Sequence, residues 1–190
     1  MYLIVDTETT GLPKDYRASI QNTENWPRLI QLAYQLYDEK ENLVKEVNHI
    51  IRPDGFVIPL ESTKVHGIST ESAMAEGTNL VDALDELQSD IERADVIVGH
   101  NIDFDRRVID CEYFRLRRYP LLSTKPQFCT MQSSTNLCKL EGRFGYKWPA
   151  LAELHNFLFQ EPFGPSQGQH NALQDVKIAA RAYFKLRKML

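Results

Sequence analysis

The distribution of apolar residues over the first 52 positions constrains the fold most. Residues 2–6, YLIVD, form an apolar run of strand length that ends in an acid, and residues 29–38 and 43–52 alternate loosely between apolar and polar side chains. Such runs are typical of β-strands, and the charged segment 38–42 supplies a turn between the last two. The three segments therefore predict an antiparallel start to a β-sheet.

Beyond residue 77 the apolar pattern alternates between helix and strand. One predicted helix covers 80–91, and Thr78 or Asn79 can cap it. A second starts with 104–111 and cannot continue through Pro120. Further helices are predicted in 131–139, 149–159 and 172–190. The predicted strands cover 96–98 and 127–130. Strands first, and then strands that alternate with helices, predict an α/β or α+β layer fold with a mixed sheet. We expect one domain, 1–190, in which 12–28 and 161–169 are the least structured segments.

The composition is that of a soluble globular protein, with 43% hydrophobic and 25% charged residues. No apolar run approaches the roughly 20 residues of a membrane helix, and the start, MYLIVDTETT, lacks the basic segment of a signal peptide. The three cysteines have no C-x-x-C spacing, which argues against a disulfide framework or a zinc knuckle. We therefore expect a cytoplasmic protein with no membrane partner.

The formal net charge of −4 is unfavourable for binding to phosphates, which attract Lys and Arg. Basic residues nevertheless cluster in 106–118 and in 177–188, and carboxylates that bind metal are neutralised when it is bound. Both clusters can be solvated helix faces, and we prefer this interpretation for the second. Charge alone decides nothing about the partner.

Asp6 and Glu8 end the first predicted strand. Residues two apart on a strand point to one face, about 6–7 Å apart along the chain. Two carboxylates at the end of a buried strand are costly unless a cation lies between them. The alternative is a pair of ordinary solvated acids beside the loop that begins at Gly11. A lone D-x-E favours this alternative, because short motifs recur by chance.

A second acidic segment, His100–Asp105, reads HNIDFD and follows the predicted strand 96–98. Its acids therefore lie at the carboxyl end of a strand, where open α/β sheets place ligands. Asp103 could equally be a helix N-cap, and Asp105 an ordinary acid of the first helical turn.

A third segment, His170–Asp175, reads HNALQD and enters the last predicted helix. Five residues correspond to about 140° of helical rotation, so the two side chains would not share a face if both were helical. They converge only if His170 precedes the helix and Asp175 lies in its first turns. The preceding segment, 164–168, contains two glycines and a proline, which makes this placement reasonable.

Together these segments resemble the 3′–5′ exonuclease family with three acidic motifs and a histidine, the type of the proofreading subunit of bacterial replicative DNA polymerase. The family's D-x-E-T-T-G, H-N-x-x-F-D and H-x-A-x-x-D motifs correspond to 6–11, 100–105 and 170–175. A further segment, 65–68, reads VHGI and corresponds to one beside the terminal nucleotide. The resemblance covers 2–180 and implies an α/β, ribonuclease-H-like fold, a five-stranded mixed sheet flanked by helices on both sides.

The resemblance implies that Asp6, Glu8, Asp105 and Asp175 bind two divalent cations, which Asp6 bridges. Carboxylates without a cysteine or imidazole cluster favour Mg²⁺ or Mn²⁺, and two such ions clamp an in-line displacement at phosphorus. His170 corresponds to the catalytic base, and an imidazole pKa near 6.5 suits this role at neutral pH. We also expect the loop before it to be mobile, so that His170 moves when nucleotide binds.

The implied substrate is the 3′ end of a single strand, which a closed pocket would hold by stacking and backbone contacts. The predicted substrate-binding residues are Thr9, Thr10 and Gly11 for backbone contacts, and Val65, His66 and Phe104 around the terminal base. Phe104 is equally a candidate core residue. His100 is expected to be structural, and His49 and His155 to be packing or surface residues.

Several alternatives remain open at the level of sequence. The preferred substrate is DNA, and the alternative is an enzyme that trims RNA ends or short oligoribonucleotides. A non-catalytic nucleic-acid-binding domain is disfavoured because all four acids and the base are present, and no G-x-G-x-x-G follows a strand to indicate a Rossmann fold. The chain has no extension past the last helix to tether a polymerase, so we expect a freestanding enzyme. No role is assigned to Lys14–Arg28, which is longer than in compact family members.

Overall fold

The computed structural model describes residues 1–161 and 170–190 and contains a five-stranded sheet. Its strands are β1 (Tyr2–Thr9), β2 (Leu29–Tyr37), β3 (Leu43–Ile50), β4 (Val96–Gly99) and β5 (Gln127–Cys129). They lie side by side in the order β3-β2-β1-β4-β5. β2 is antiparallel to β1 and β3, whereas β4 is parallel to β1 and to β5. The predicted antiparallel start and the mixed sheet are confirmed.

Seven α-helices connect and cover the strands in the described residues. They are α1 (Leu60–His66), α2 (Thr70–Glu76), α3 (Leu80–Arg93), α4 (Ile102–Arg115), α5 (Thr130–Cys138), α6 (Leu151–Phe159) and α7 (Ala172–Arg187). A 3₁₀ turn at Leu122–Thr124 precedes β5, and a small hairpin of β6 (Glu141–Gly142) and β7 (Gly145–Tyr146) lies between α5 and α6. The sequence predicted neither α1 and α2 nor this hairpin. None of the helices among 1–161 and 170–190 could cross a membrane.

The two faces of the sheet bury separate groups of apolar side chains. Leu3, Val5 and Tyr34 pack with residues of α3 and α4, including Leu84 and Val108. On the opposite face, Ile4, Ala33 and Val98 of β1, β2 and β4 pack against Ala172 and Val176 of α7. Successive side chains of a β-strand point to opposite faces, so neighbouring residues of β1 pack on opposite sides of the sheet. The sheet is therefore flanked by helices on both sides, as predicted.

The segment 12–28 has no helix or strand, in agreement with the sequence prediction, but hydrogen bonds fix it to itself and to α4. The Lys14 N–H donates to the Asn25 carbonyl at 3.1 Å. The Arg115 guanidinium donates to the carbonyls of Thr23 and Trp26 at 2.6 and 2.7 Å. Trp26 is buried in the core that contains α4 residues. This segment therefore covers one side of α4.

Candidate metal centre and catalytic site

β1 carries Asp6 and Glu8 to the carboxyl edge of the sheet. Both stand at alternate positions after Ile4, which packs against α7, so they continue the strand face that α7 covers. The pairing of β1 with β2 shifts by a β-bulge between Glu8 and Thr9, and the strand ends there. The sequence thus places two carboxylates on one face at a strand end.

The surroundings of both acids disfavour negative charge. Glu8 is 8% exposed, and burial, followed by the charges of Asp175 and Asp105, raises its pKa to about 8. Burial also raises the pKa of Asp6 well above its usual range, and Asp105, Asp175 and Glu8 raise it further. Carboxyl groups with such pKa values hold protons at neutral pH unless a cation takes their place. The pair therefore favours the binding of positive charge.

Asp105 reaches the same edge from the first turn of α4. Its side chain is 3% exposed, and the Thr7 hydroxyl donates a hydrogen bond of 2.7 Å to Asp105 Oδ1. Burial raises the pKa of Asp105 to about 7, although the hydrogen bond from Thr7 opposes the rise. Thr7 therefore fixes the orientation of the Asp105 carboxylate. Without a cation, burial leaves this group only partly ionised at neutral pH.

The alternative interpretation of Asp103 as a helix N-cap is wrong. α4 is preceded by Asn101, in a left-handed conformation with φ 68°, and Asp103 lies inside the first turn. Its carboxylate is half exposed and pairs with Arg106 and Arg107. Burial raises the pKa of Asp103, but the hydrogen bonds from the two arginines outweigh it, and the pKa is lowered. Asp103 thus differs from Asp105 in keeping its charge by pairing with arginine.

The third motif enters α7 in the way that its spacing requires. α7 begins at Ala172 with Asn171 as its N-cap, so His170 precedes the helix and Asp175 lies in its first turn. The Ala172 N–H donates to Gln31 Oε1 at 3.2 Å, which attaches the start of the helix to β2. Because a free N–H at a helix start needs an acceptor, Gln31 both satisfies the backbone and positions Asp175.

His170, Glu8 and Asp175 converge at this edge. One potential ligand atom from each residue lies within 4.8 Å of the other two, and His170 Nδ1 is 3.9 Å from Asp175 Oδ2. Burial raises the pKa of Asp175, and His170 opposes the rise. The His170 side chain is 67% exposed, whereas its backbone N–H donates to the Val65 carbonyl at 2.9 Å. The predicted mobile loop, 163–169, lies outside the described residues.

The four acids fit a pair of hard divalent cations. They offer carboxylate oxygens, which Mg²⁺ and Mn²⁺ prefer. The pKa of each of the four acids is raised. Fully ionised, four carboxylates carry a charge that two divalent cations would balance. The roles predicted for Asp6, Glu8, Asp105 and Asp175 as ligands and for His170 as base remain predictions.

The loop after β1 is fixed to the end of the 12–28 segment. The Thr10 N–H donates to the Arg28 carbonyl at 3.0 Å, and the Arg28 N–H donates to Thr10 Oγ1 at 2.9 Å. The Thr9 hydroxyl donates to the Gly11 carbonyl at 2.6 Å, and Gly11 has φ 141°, a conformation that favours glycine. Thr9 is buried, whereas Thr10 and Gly11 are half-buried. Of the three predicted backbone contacts, Thr10 and Gly11 are therefore the more accessible.

Val65, His66 and Phe104 differ in accessibility. Val65 is 47% exposed, and Phe104 is partly buried against the main core. His66 is 6% exposed, and its Nδ1 accepts a hydrogen bond from the Ile68 N–H at 3.1 Å. Burial lowers the pKa of His66, and the Thr9 backbone opposes this change. Val65 and Phe104 are thus accessible to a terminal base, whereas His66 is nearly inaccessible.

His100 has the contacts of a structural residue, which was its predicted role. Its ring nitrogens lie 3.0 Å from the Thr130 hydroxyl and 3.0 Å from the Pro149 carbonyl. Burial lowers the pKa of His100 to about 4, although the Pro149 carbonyl opposes the change. The ring is therefore neutral at physiological pH and joins the end of β4 to the segments before α6.

The other two histidines lie in regular elements, as predicted. His49 Nε2, in β3, contacts Glu86 Oε2 at 2.6 Å, and His155 is buried in α6 with Arg181 within 3.3 Å.

Sequence reasoning missed two supporting residues, Thr7 and Gln31. Thr7 stands inside the D-x-E motif, so its alternate position could have indicated a side chain on the opposite face from Asp6 and Glu8. Nothing in the local sequence of β2 indicates that Gln31 reaches the start of α7. Both contacts depend on how distant segments pack.

Comparisons with known proteins agree with this geometry. The model of the exonuclease family RNase_T matches residues 3–183, and no curated protein sequence matches the chain significantly. Three solved structures of E. coli Exonuclease I are similar in fold. The complex with a dA16 oligonucleotide has a TM-score of 0.70 at 18% identity, over 99% of this chain and 40% of that chain. The complex with a dT13 oligonucleotide has a TM-score of 0.72 at 18% identity, over 98% and 40%.

The zinc-bound form of the ExoI–ssDNA complex has a TM-score of 0.71 at 21% identity, over 99% of this chain and 40% of that chain. The present chain thus spans about 40% of the Exonuclease I chains that it matches. At these identities the similarity shows the fold, and the predicted ribonuclease-H-like fold is confirmed. Because the family model covers nearly all residues and all three motifs, the chain belongs to the exonuclease family of the ribonuclease-H-like superfamily.

Proposed function

We propose that the chain is a 3′–5′ exonuclease that removes nucleotides from single-stranded DNA with two divalent cations, Mg²⁺ or Mn²⁺. The observation that carries this proposal is the convergence of acids from β1, α4 and α7 with His170 at one edge of the sheet. Family membership implies dependence on divalent metal. The oxygen donors favour Mg²⁺ and Mn²⁺ over softer metals.

The choice of DNA is supported by the structural neighbours. The Exonuclease I structures were determined with dA16 and dT13 oligonucleotides, and the zinc-bound form contains single-stranded DNA. An RNA substrate is the alternative outcome of the experiment below.

Asp6, Glu8, Asp105 and Asp175 would hold the cations. When bound, these would activate the attacking water and stabilise the charge that develops on the leaving 3′-oxygen. Thr7 holds Asp105 in one orientation through the 2.7 Å hydrogen bond, and a fixed first turn of α7 holds Asp175. These contacts support preorganisation, because ligands that are already oriented need no rearrangement when the substrate binds.

His170 would accept the proton of the attacking water. Its Nδ1 faces Asp175, so Nε2 is the nitrogen that we assign to the proton. The ring is two-thirds exposed and thus accessible to a water molecule, while the backbone is held by Val65. A base that is held at its backbone and open at its ring can take a proton from solvent-derived water.

The 3′ end would lie between the loop 9–11 and α1. Thr10 and Gly11 are half-buried residues of that loop, and Val65 and Phe104 offer apolar contact to a terminal base. Stacking and backbone contacts of this kind tolerate any base, which suits a nuclease without sequence preference. A cytoplasmic location remains a prediction, and association with a polymerase remains an untested alternative to a freestanding enzyme.

The experiment uses single-stranded DNA and RNA of the same sequence, each with a 5′ label, and the purified chain with Mg²⁺, Mn²⁺ or EDTA. We expect a ladder that shortens from the 3′ end, metal dependence and faster loss of DNA than of RNA. A blocked 3′ end should resist, and a circular single strand should stay intact.

Asp6→Asn is the matched inactive control, because it keeps the shape of the side chain and removes its charge. Activity of Asp6→Asn close to that of the native protein would contradict the assignment of Asp6 as a metal ligand. Cleavage of the circle, early release of the 5′ label, or undiminished activity in EDTA would refute the proposal. Faster cleavage of RNA would support the oligoribonucleotide alternative.

A further inference from the structure

The hairpin formed by β6 and β7 is part of a longer exposed segment, 139–148, which we call the aromatic hairpin. The cross-strand pairs leave Arg143 and Phe144 as its two-residue turn. At its base, the Lys147 N–H donates to the Leu140 carbonyl at 2.9 Å. Every residue from 141 to 148 is exposed. Leu140, at the base of the segment, packs against a buried apolar cluster, whereas residues 141–148 lie on the surface.

Three large aromatic side chains of this hairpin face solvent. Phe144 is 92% exposed, Trp148 61% and Tyr146 51%. Turn positions usually carry Gly, Asn or Asp, so a phenylalanine at the turn is an unusual choice. Tyr146 and Trp148 are two residues apart, which in extended chain places them on one face. Clustered aromatic groups in water are unfavourable unless they bind a partner.

Basic residues are interleaved with the aromatic ones. Lys139, Arg143 and Lys147 stand against a single acid within the segment, Glu141, in a chain whose formal net charge is −4. The Arg143 guanidinium lies 5.1 Å from the centre of the Phe144 ring, a cation–π arrangement. Lys147 pairs with Glu153 outside the segment at 2.5 Å. Lys139 and Arg143 are therefore the cations best placed to meet a phosphate.

The hairpin is rooted beside the proposed catalytic site. Pro149 directly follows Trp148, and its carbonyl lies 3.0 Å from His100 Nε2. His100 follows β4 and begins the segment that ends in Asp105. A single-stranded nucleic acid whose 3′ end lies among the acids would therefore find the aromatic hairpin at the same edge of the sheet.

We propose that the aromatic hairpin binds the single strand upstream of its 3′-terminal nucleotides. This inference rests on the proposed function. Bases stack on Phe144, Tyr146 and Trp148, while Lys139 and Arg143 contact phosphates. Alternating aromatic and basic side chains are the combination that binds single strands without regard to sequence. The phosphates of a nucleic acid complement the excess positive charge of the hairpin, whereas a purely apolar protein surface would not complement it.

Tryptophan fluorescence tests the contact directly. The chain has two tryptophans, of which Trp26 is 3% exposed and Trp148 is accessible. In the Asp6→Asn background with Mg²⁺, unlabelled dT15 should quench the emission of Trp148 as bases stack on it. Trp148→Phe should keep the affinity for dT15, because Phe also stacks, and should lose the quenching. Emission that dT15 leaves unchanged at saturation would overturn the proposal.

A variant with Phe144→Ser, Tyr146→Ser and Trp148→Ser tests the contribution to affinity. Loss of stacking should weaken the binding of labelled dT15 by roughly 5–150-fold for each base that stacks. Cleavage of dT3, which has no nucleotides upstream of the 3′-terminal ones to stack on the hairpin, should keep its rate. The matched control is Tyr119→Ser. Tyr119 is 78% exposed and follows the C-terminal end of α4, whereas Asp105 lies in the first turn of that helix. An equal loss in the control, or none in the triple variant, would overturn the proposal.

Charge removal supplies an independent measure. Lys139→Gln with Arg143→Gln should reduce the slope of log affinity against log salt concentration by about 1.4, at about 0.7 for each phosphate contact on a single strand. An unchanged slope contradicts phosphate contact. Loss of self-association in the triple variant, with dT15 binding intact, would identify a protein interface and refute the inference.

Binding and cleavage separate the two proposals. If the native chain degrades no nucleic acid but the triple variant still loses dT15 binding, the proposed function fails and the hairpin assignment stands. If the native chain cleaves DNA, and the triple variant binds and cleaves dT15 as well as the native chain, only the hairpin assignment fails.

Discussion

Replacement of Glu8 by Gln should stabilise the metal-free protein at alkaline pH and abolish cleavage. Glu8 is 8% exposed, and its pKa is raised from 4.5 to about 8, by burial first and then by Asp175 and Asp105. A raised pKa means that the folded state holds the proton more tightly than the unfolded state. The stabilisation from Glu8 is therefore complete below pH 4.5 and is lost as the pH rises through about 8. Gln keeps the size of the side chain and has no proton to lose.

The expected magnitude follows from this pKa. Linkage between pH 5 and pH 8 gives a loss of about 3 kcal/mol in the free energy of unfolding from Glu8 alone. In a domain of this size, that loss corresponds to roughly 6–12 °C in Tm. Removal of the Glu8 charge also relieves Asp6, whose pKa it raises. The native protein should thus lose at least this much more stability than Glu8→Gln over the same interval.

The assay is urea unfolding in EDTA at pH 5, 6, 7 and 8, followed by tryptophan fluorescence. Glu24→Gln is the control, since Glu24 is an exposed glutamate of the 12–28 segment and should leave the native pH dependence unchanged. With saturating Mn²⁺ the order should reverse, because the native site binds the cation and the variant site binds it less well. Parallel pH profiles for the native protein and Glu8→Gln in EDTA would refute the electrostatic argument.

Four other experiments probe the same site. Asp6→Asn and Asp175→Asn should each abolish cleavage while circular dichroism shows a native fold; activity near that of the native protein would contradict the assignment of metal ligands. Mn²⁺ should raise the Tm by mass action, because it adds about 2.7 kcal/mol to the free energy of unfolding at one hundred times Kd; a Tm that stays flat up to millimolar Mn²⁺ would indicate that no site forms. Thr7→Val should cost about 1–3 kcal/mol and lower turnover because buried Asp105 loses its hydrogen bond, and Thr7→Ser should restore both. His170→Ala should lower turnover by roughly 10²–10⁴ with the Mn²⁺-induced Tm shift retained, and loss of that shift would make His170 a ligand.

The long elements of the fold could be predicted because their periodicity extends over several turns or strand positions. The predicted ends of β2 and β3 lie within two residues of those observed, and α3 is capped by Asn79, one of the two candidates. α1 and α2 have seven residues each, too few turns for apolar periodicity to stand out. β6 and β7 have two residues each and bury nothing, so no apolar pattern marks them.

The site could be predicted as a set of motifs but not as a network. The acids and His170 were assigned from three short segments, and their convergence follows from the parallel pairing of β1 with β4 and from the start of α7. The contact of Thr7 with Asp105 joins residues far apart in sequence, as does that of Gln31 with Ala172. Such contacts depend on tertiary packing, which periodicity does not encode.

The hydrogen bond from the His170 N–H to the Val65 carbonyl has a consequence for discrimination between substrates. Val65 lies in the last turn of α1, beside the proposed position of the terminal base. This one hydrogen bond thus restrains Val65, at the wall of the nucleotide pocket, and the backbone of His170, which accepts the proton of the attacking water. A terminal nucleotide that displaces α1 would also displace His170. A chemically altered 3′ end that still binds should therefore be rejected through kcat more than through KM.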